Sequence, residues 1–598
     1  ASEAPSAKAA STDVYRARPK GALTGATIYV NPGHGWLYSS DRGTWNTQRG
    51  NSYGIIEDHS NAEAVFQFLV PYLWNAGAEV VTTRERDMQT NMVIVDAGGE
   101  GYSEKGNWSE EKIPLTWKGS QRVGKGPRAE ATFEANVPEA GHYAVYAWYG
   151  TSLQGDVATS AEFEIDHAGG TTIWRQDLNH DGGSWKYMGT YYFEEGEGAV
   201  TLSAPEAASG ELVVADAVRF GGGVGDVSPA EGVPGSGKPR WEESGYFYAQ
   251  FNGMTVEEVI DRFQVREGLD RDTAAGRFNS VSAMPLFAER ETEIDELGKS
   301  VYLSWHTNAH NGQARGLFSF VYGPDSWGDM EKFAGYPGGI ELVHIVHDEI
   351  MRDVHAAYDP EWRDGPKVTR WLGETNPRYN DRMPSALYEM GFHDNPEDAS
   401  YILDPQFRQI VSRGLYQGVV QFFVENIQGF DNATLLPEPP TNLRVTSGDG
   451  GNVTLAWQPG PARAEGEEGL YGDAAKSYRV YTSSNGLAFD NGAEVDTTQF
   501  TVPNLKGGDT VYFRVTSVNE GGESFPTETL AVRDRKSGPA PVLIVNGFDR
   551  LDRGLNIKLE SGVERGILSR MNTFNYAIQH AEALEAAGYD FDSSSNEA

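Results

Sequence analysis

Apolar and polar positions follow two rhythms along the chain. Ala26 to Val30 is a short apolar run that predicts a buried strand, and it enters the Gly-rich turn Asn31-Pro-Gly-His34-Gly. Ser60 and Glu63 have capping-box spacing, which predicts a helix start there. Val65, Phe66, Leu69 and Leu73 share one helical face, and Gly77 is suited to the C-cap. A strand over 78–87 (Ala-Glu-Val-Val-Thr-Thr-Arg-Glu-Arg-Asp) completes a strand–helix–strand unit, the element of a parallel α/β sheet. From about Gly98 to Phe220 the period falls to two, in short runs divided by glycine turns, which predicts a β-sandwich. A Gly- and Pro-rich linker covers 223–240. After Trp241 the α/β rhythm resumes. Helical segments around 255–268, 291–298, 339–358 and 405–427 alternate with strands that run into loops over 300–312 and 385–395. The sandwich is therefore inserted into the α/β domain.

Evenly spaced strands then return over 437–534. Trp457 in the second of them and Tyr512 later fit an immunoglobulin-like sandwich. Residues 541–598 open another α/β pattern: an apolar strand at Val542, a helix over 572–587 with Gly588 as its stop, and a second strand from Tyr589. A lone βα unit leaves edges unpaired. The expectation is a truncated domain, with a remainder of the same precursor beyond Ala598, or else docking on another domain or a second chain.

Composition narrows the chemistry. The 598 residues contain no cysteine, which removes thiol catalysis, disulfides and cysteine-ligated zinc. The formal charge of −37, from 49 basic and 86 acidic residues, argues against nucleic acid as a partner. No apolar run is long enough for a transmembrane segment. The polar stretch 1–22 reads as a flexible N-terminal segment, of the kind left after signal removal from a secreted protein.

Four segments carry candidate chemistry: Asn31-Pro-Gly-His34-Gly, Gly54-Ile-Ile-Glu57, Ser304-Trp-His306-Thr-Asn308 and Leu387-Tyr-Glu389-Met-Gly-Phe. Two imidazoles and one carboxylate suit a catalytic Zn2+ with a position left for water. His34 and His306 each follow a predicted strand and Glu57 precedes a helix, so all three are expected at the carboxyl edge of the sheet, with Glu389 facing the water. Taken singly, such residues are ordinary loop histidines and dipole partners; the joint pattern carries the argument. His344, His347, Glu349 and His355 also have metal-like helical spacing. Ile345, Val346, Ile350 and Val354 define that helix's buried face, which puts the histidines at its surface flanks.

The four segments, with Gly-Ala-Glu-Val-Val-Thr-Thr-Arg84 between them, resemble the zinc-dependent N-acetylmuramoyl-L-alanine amidase family (amidase type 3) in motif and order. The resemblance covers about 24–96 and 241–427. It implies Zn2+ held by His34, Glu57 and His306, Glu389 as general base and acid, and hydrolysis of the amide between N-acetylmuramic acid and L-alanine in peptidoglycan. Asn31, Trp36, Trp305 and Thr307 depart from the family pattern without removing a ligand. Trp36, Trp305, Asn308 and His310 are the candidate substrate-binding residues. Residues around Gly182-Gly-Ser-Trp185 and Ala215-Asp-Ala-Val218 resemble the golvesin C-terminal-like domain, also found beside xanthan lyases as a carbohydrate-binding module, which implies a further polysaccharide partner. Trp148, Trp174 and Trp185 are its candidate sugar platforms, weighed against a core role. No lyase constellation is present. Residues 437–534 resemble fibronectin type III.

The expected architecture is multidomain: an α/β twisted-sheet zinc amidase domain (23–96 and 241–427) interrupted by a β-sandwich (97–222), then an immunoglobulin-like fibronectin type III sandwich and an incomplete α/β segment (541–598). The expected location is secreted: extracellular, periplasmic or at the cell surface. Two other functions remain at this point: a zinc peptidase or amidase for another substrate, and a catalytically silent glycan-binding or adhesion protein.

Overall fold

The computed structural model of the chain describes residues 19–180, 182–268, 280–295, 299–327, 330–448, 450–464, 470–534 and 540–598. Its α/β domain is built on seven strands: β1 (Thr27–Asn31), β2 (Glu79–Thr82), β3 (Ser300–Asn308), β4 (Leu317–Tyr322), β5 (Ser326–Trp327), β6 (Asp364–Arg370) and β7 (Ser385–Phe392). They lie in the order β5-β6-β4-β7-β3-β1-β2. β2, β1, β3 and β7 are mutually parallel, while β4 runs antiparallel to β7 and parallel to β6. The alternation of a strand decides what each residue faces. Ile28, Val30, Leu303, Trp305, Tyr388 and Met390 enter the large core shared with the helices. Asn31, Ser304, His306 and Glu389 occupy the alternate positions.

The helices of the same domain that bear on the centre are α1 (57–75), α2 (Ser280–Asp295), α3 (Gly339–Ala357) and α4 (Pro405–Asn426); Gly245–Phe251, Val256–Glu267 and Pro396–Ile402 are helical as well. α1 starts at Glu57, three residues before the expected cap, and Ser60 and Glu63 lie inside it. Glu63 is buried and paired with Arg408 of α4 and with Arg565, so tertiary partners replace the local capping box. Within α1, residues Val65–Leu69 form a π turn, and the Val70 N–H reaches Val65 O. Pro71 comes next and has no N–H to continue the ordinary ladder. His347 of α3 is a correction to the sequence expectation. It is fully buried, 2.7 Å from Ser319 Oγ and 2.9 Å from Asp364 Oδ1, because α3 packs on β4 across that position. His344 is exposed as expected.

The inserted sandwich has a four-stranded sheet, a five-stranded sheet and a three-stranded ribbon. It seats along the β2 side of the α/β domain. Glu85, just after β2, forms a fully buried 2.7 Å ion pair with Arg219 of the insert and accepts a hydrogen bond from Tyr146. Trp148 and Trp185 pack with Tyr248 and Phe251 of the α/β domain, and Trp174 stacks on Trp74 of α1 at 5.8 Å. All three candidate sugar platforms are therefore buried.

In the second sandwich Trp457 is core, against Tyr478. Strand Phe591–Ser595 pairs in parallel with Val542–Asn546 and antiparallel with Thr441–Ser447, so the last segment extends the fibronectin-like sheet. Tyr512 is covered by Ile544, Ile578 and Phe591 of that segment. Among the described residues no helix is long and apolar enough to cross a membrane.

Candidate metal centre

β1 delivers His34 through the turn at its end. Gly33 in that turn has φ +78°, and a Cβ there would meet Asn61 Nδ2 at 3.1 Å and the His306 ring at 3.7 Å. Glycine thus provides both the backbone angle and the close approach. His306 sits within β3 rather than after it, with Glu389 of β7 as its Cα partner across the pair. Glu57 enters from the first turn of α1. One ligand atom from each of His34, Glu57 and His306 lies within 4.8 Å of the others, and all three residues are buried.

His306 Nδ1 is 3.2 Å from Glu57 Oε1, and His34 Nε2 is 4.0 Å from the same oxygen. The other His306 nitrogen, Nε2, lies 2.8 Å from Glu374 Oε2. Ser304 Oγ also donates to Glu374 Oε2 at 2.8 Å, Asn31 Nδ2 donates to Ser304 Oγ, and Thr83 Oγ1 donates to Asn31 Oδ1. A buried carboxylate behind a histidine fixes its tautomer and leaves the opposite nitrogen for a ligand. The sequence reading missed Glu374. It sits in a loop with no local motif, and only the tertiary fold brings it to His306.

Electrostatics follow this geometry. Burial, aided by the neighbouring His306, pushes His34 down to about 4. Burial raises Glu57, but the His306 hydrogen bond and the two imidazoles prevail and hold it at about 2. Burial raises Glu389 to about 8 against the pull of His306, with Glu57 and Glu374 adding to the rise. Burial lowers His306, yet Glu374 and Glu57 carry it well above its ordinary value. A neutral imidazole, an ionised carboxylate and a second imidazole tied to an acid converge on one point. His34 Nδ1 and Glu57 Oε2 are buried without a hydrogen-bond partner. Excess buried acid with such donors fits a bound cation.

Glu389 Oε2 is also buried without a partner. Arg49, half exposed, reaches to 3.5 Å from Glu57 Oε2. Among the candidate substrate residues, Trp36 is half-buried and donates to Glu242 Oε2 at 3.1 Å. Asn308 ends β3, its Oδ1 taken by the Ala309 N–H, and His310 is exposed beyond it. Trp305 is a correction: it is 3% exposed and belongs to the core on the opposite face of β3, because its neighbour His306 faces the centre. His393 Nδ1 lies 3.1 Å from Thr307 Oγ1, and His59 Nδ1 is 3.9 Å from Glu242.

Comparison with known families gives three matches: residues 92–222 to the golvesin C-terminal domain, 270–421 to N-acetylmuramoyl-L-alanine amidase and 438–533 to the fibronectin type III domain. The amidase match contains His306, Glu374 and Glu389; His34 and Glu57 precede the insert and lie outside it. The chain is 34% identical over 136 residues to a xanthan lyase of Bacillus sp. (strain GL1), covering 21% of this chain and 14% of that protein. It is 28% identical over 141 residues to the germination-specific N-acetylmuramoyl-L-alanine amidase of Bacillus subtilis (strain 168), covering 23% and 50%. The chain thus spans half or less of these relatives. A solved N-acetylmuramoyl-L-alanine amidase from Clostridium difficile 630 matches at 23% identity and TM-score 0.17, covering 21% of this chain and 59% of that one. The chain is therefore a multidomain protein that carries a golvesin C-terminal domain, an N-acetylmuramoyl-L-alanine amidase domain and a fibronectin type III domain.

Proposed function

We propose that this protein is a secreted zinc amidase that hydrolyses the bond between N-acetylmuramic acid and L-alanine in peptidoglycan. The observation that carries the reading is the convergence of His34, Glu57 and His306 with Glu389 directly across the strand pair from His306. His34, Glu57 and His306 are the ligands for Zn2+. When bound, zinc supplies Lewis acidity, which polarises a carbonyl oxygen and makes a water acidic near neutrality. Glu374 holds the His306 ring so that Nδ1 faces the centre. Glu389 accepts the proton of the attacking water at its free oxygen and returns it to the departing alanine nitrogen. No group of the chain needs to bond covalently to substrate.

Digestion of purified sacculi, with mass spectrometry of released stem peptides, tests this directly. Free peptides beginning with L-alanine are expected; intact lactyl-peptide linkages with cleavage elsewhere would point to another amide. Chelation is expected to stop release and zinc to restore it. Glu389→Gln is expected to retain the metal and lose turnover, while His34→Ala loses both.

A further inference from the structure

Arg49 is a cation at the rim of the centre that the proposed chemistry does not use. Its Nε lies 3.5 Å from Glu57 Oε2, which still lacks a hydrogen-bond partner, and half of the arginine side chain is exposed. Among the described residues Glu57 is its one ion-pair partner. The backbone beneath it is fixed. The N–H groups of Gln48 and Arg49 donate to the two carboxylate oxygens of Asp58 at 3.1 and 3.4 Å, and Thr47 Oγ1 donates to Arg49 O at 2.8 Å. Asp58 is fully buried beside Glu57 in the first turn of α1. The helix that presents a proposed ligand therefore also anchors the stem of Arg49, while its head meets water. Burial is the largest influence on the pKa of His34, Glu389 and His393, and the Arg49 charge lowers each of them as well. One guanidinium is thus within electrostatic reach of both a proposed ligand and the general base.

An arginine that served Glu57 alone would be buried and hydrogen-bonded to it, as Glu374 is to His306; Arg49 is neither. Its planar fork matches a carboxylate with two parallel hydrogen bonds, and it stays charged at any working pH. The chemistry of the substrate says where such an anion is found. The lactyl carboxyl of muramic acid is consumed in the scissile amide, and the neighbouring sugars carry only hydroxyl and N-acetyl groups. Every remaining carboxylate is on the peptide side. The nearest is the free α-carboxylate of the second stem residue, a glutamate joined through its γ-carboxyl. It begins one residue beyond the alanine, about 3.8 Å between Cα atoms, a step that the long arginine side chain can span from its place beside Glu57. We propose that Arg49 is a specificity-determining residue that binds this α-carboxylate. Stems with the group ionised are then favoured over stems in which it is amidated. The identity of the peptide rests on the amidase reading, while the anion preference of Arg49 can be read without turnover.

The test compares the full zinc-loaded chain with Arg49→Ala and Arg49→Lys. Two N-acetylmuramyl dipeptides differ only in an α-carboxylate or an α-carboxamide on the second residue. The wild type is expected to favour the carboxylate about 10-fold in kcat/KM, the worth of a charge-assisted hydrogen bond. Arg49→Ala is expected to abolish that preference through a higher KM for the carboxylate substrate. Arg49→Lys, a point charge without the fork, should keep part of it. No preference in the wild type, or a preference that survives in Arg49→Ala, would overturn the assignment. Zinc affinity from chelator competition is expected to be equal in the wild type and Arg49→Ala. Weaker zinc binding with an unchanged substrate ratio would make Arg49 a support for Glu57 and overturn it too. Calorimetry with L-alanyl-γ-D-glutamate and L-alanyl-D-isoglutamine supplies the readout without turnover. Tighter binding of the first by the wild type, lost in Arg49→Ala, supports the assignment; equal binding, or binding of neither, overturns it. Selective binding without cleavage of either muramyl dipeptide would sink the amidase reading and leave the Arg49 site standing.

Discussion

At the scale of single residues, the centre depends on groups that touch no substrate. Glu374 is fully buried and held at low pKa against the burial by His306, which lies 2.8 Å away. Removing such a carboxylate typically costs ~10–100-fold in metal affinity. Glu374→Gln is therefore expected to weaken zinc binding by that factor in a chelator competition, with Tm of the zinc-saturated protein little changed. A second residue makes a pH prediction far from the metal. Asp216 of the insert is buried, which raises its carboxyl to about 8 despite the hydrogen bond from the Trp117 N–H. Its folded value exceeds the unfolded one of about 3.9, so folding takes up a proton. Its effect is absent below the unfolded value, and stability falls as pH rises from there to about 8. Asp216→Asn is expected to flatten that part of the Tm–pH curve, and an unchanged slope would remove Asp216 as its source. The meeting of His34, Glu57 and His306, with Glu389 opposite His306, was legible because these residue types stand in motif order at strand and helix ends. Trp305 was misassigned although β-alternation already turns it to the opposite face of β3 from His306. Glu374 was illegible, since only the tertiary fold brings it within 2.8 Å of His306 and Ser304.

At the scale of elements, periodicity located β1, β2, β3 and β7 and the helices α1, α3 and α4, but not β4, β5 or β6, the short helices Gly245–Phe251 and Pro396–Ile402, or what fixes the ends of any of them. Ser60 and Glu63 have the spacing of a cap, yet both lie inside α1 and serve its packing. Glu63 pairs with Arg408, with Arg565 and with the Gly566 N–H, and Gln67 holds Leu568 N and Gly566 O. The hairpin Ile557–Lys558 and Glu564–Arg565 also donates the Glu564 N–H to Gly54 O, three residues before Glu57. A segment more than 480 residues downstream thus braces the helix that presents a proposed ligand. No sequence period announces a contact of that separation. Arg565→Ala is expected to destabilise the protein by roughly 1–3 kcal/mol, the cost of a buried charged acceptor losing a partner. Chemical denaturation of Arg565→Ala, Glu63→Gln and the double variant checks it: strictly additive losses would mean that the two side chains are not coupled.

At the scale of the whole molecule, the rhythm change near Gly98 and its return after Trp241 revealed the insertion, because a sandwich and an α/β sheet bury apolar residues with different periods. The contacts that fuse the two were invisible to it. Glu85 and Arg219 are both wholly shielded from water, 2.7 Å apart, with Tyr146 beneath the guanidinium at 3.8 Å. Glu85 lies just beyond β2, and Arg219 lies near the end of the insert. The insert therefore covers the β2 edge, at the opposite end of the sheet from Trp327, and Trp74 and Trp174 stack across the same junction. An exposed edge strand invites pairing with other chains, so outright removal of the insert would confuse aggregation with loss of function. The pair offers a cleaner cut. Arg219→Ala leaves the Glu85 charge buried and uncompensated, at a cost of about 3–5 kcal/mol, while replacing both by apolar residues of similar volume costs far less. Calorimetry of Arg219→Ala is expected to show the α/β domain and the sandwich unfolding in separate transitions, and of the double variant Glu85→Leu with Arg219→Met to restore a single one. If the insert also positions polymer through this junction, Arg219→Ala should lose more activity on sacculi than on a small muropeptide at a temperature where both domains remain folded. Proportionate loss on both would confine the junction to stability.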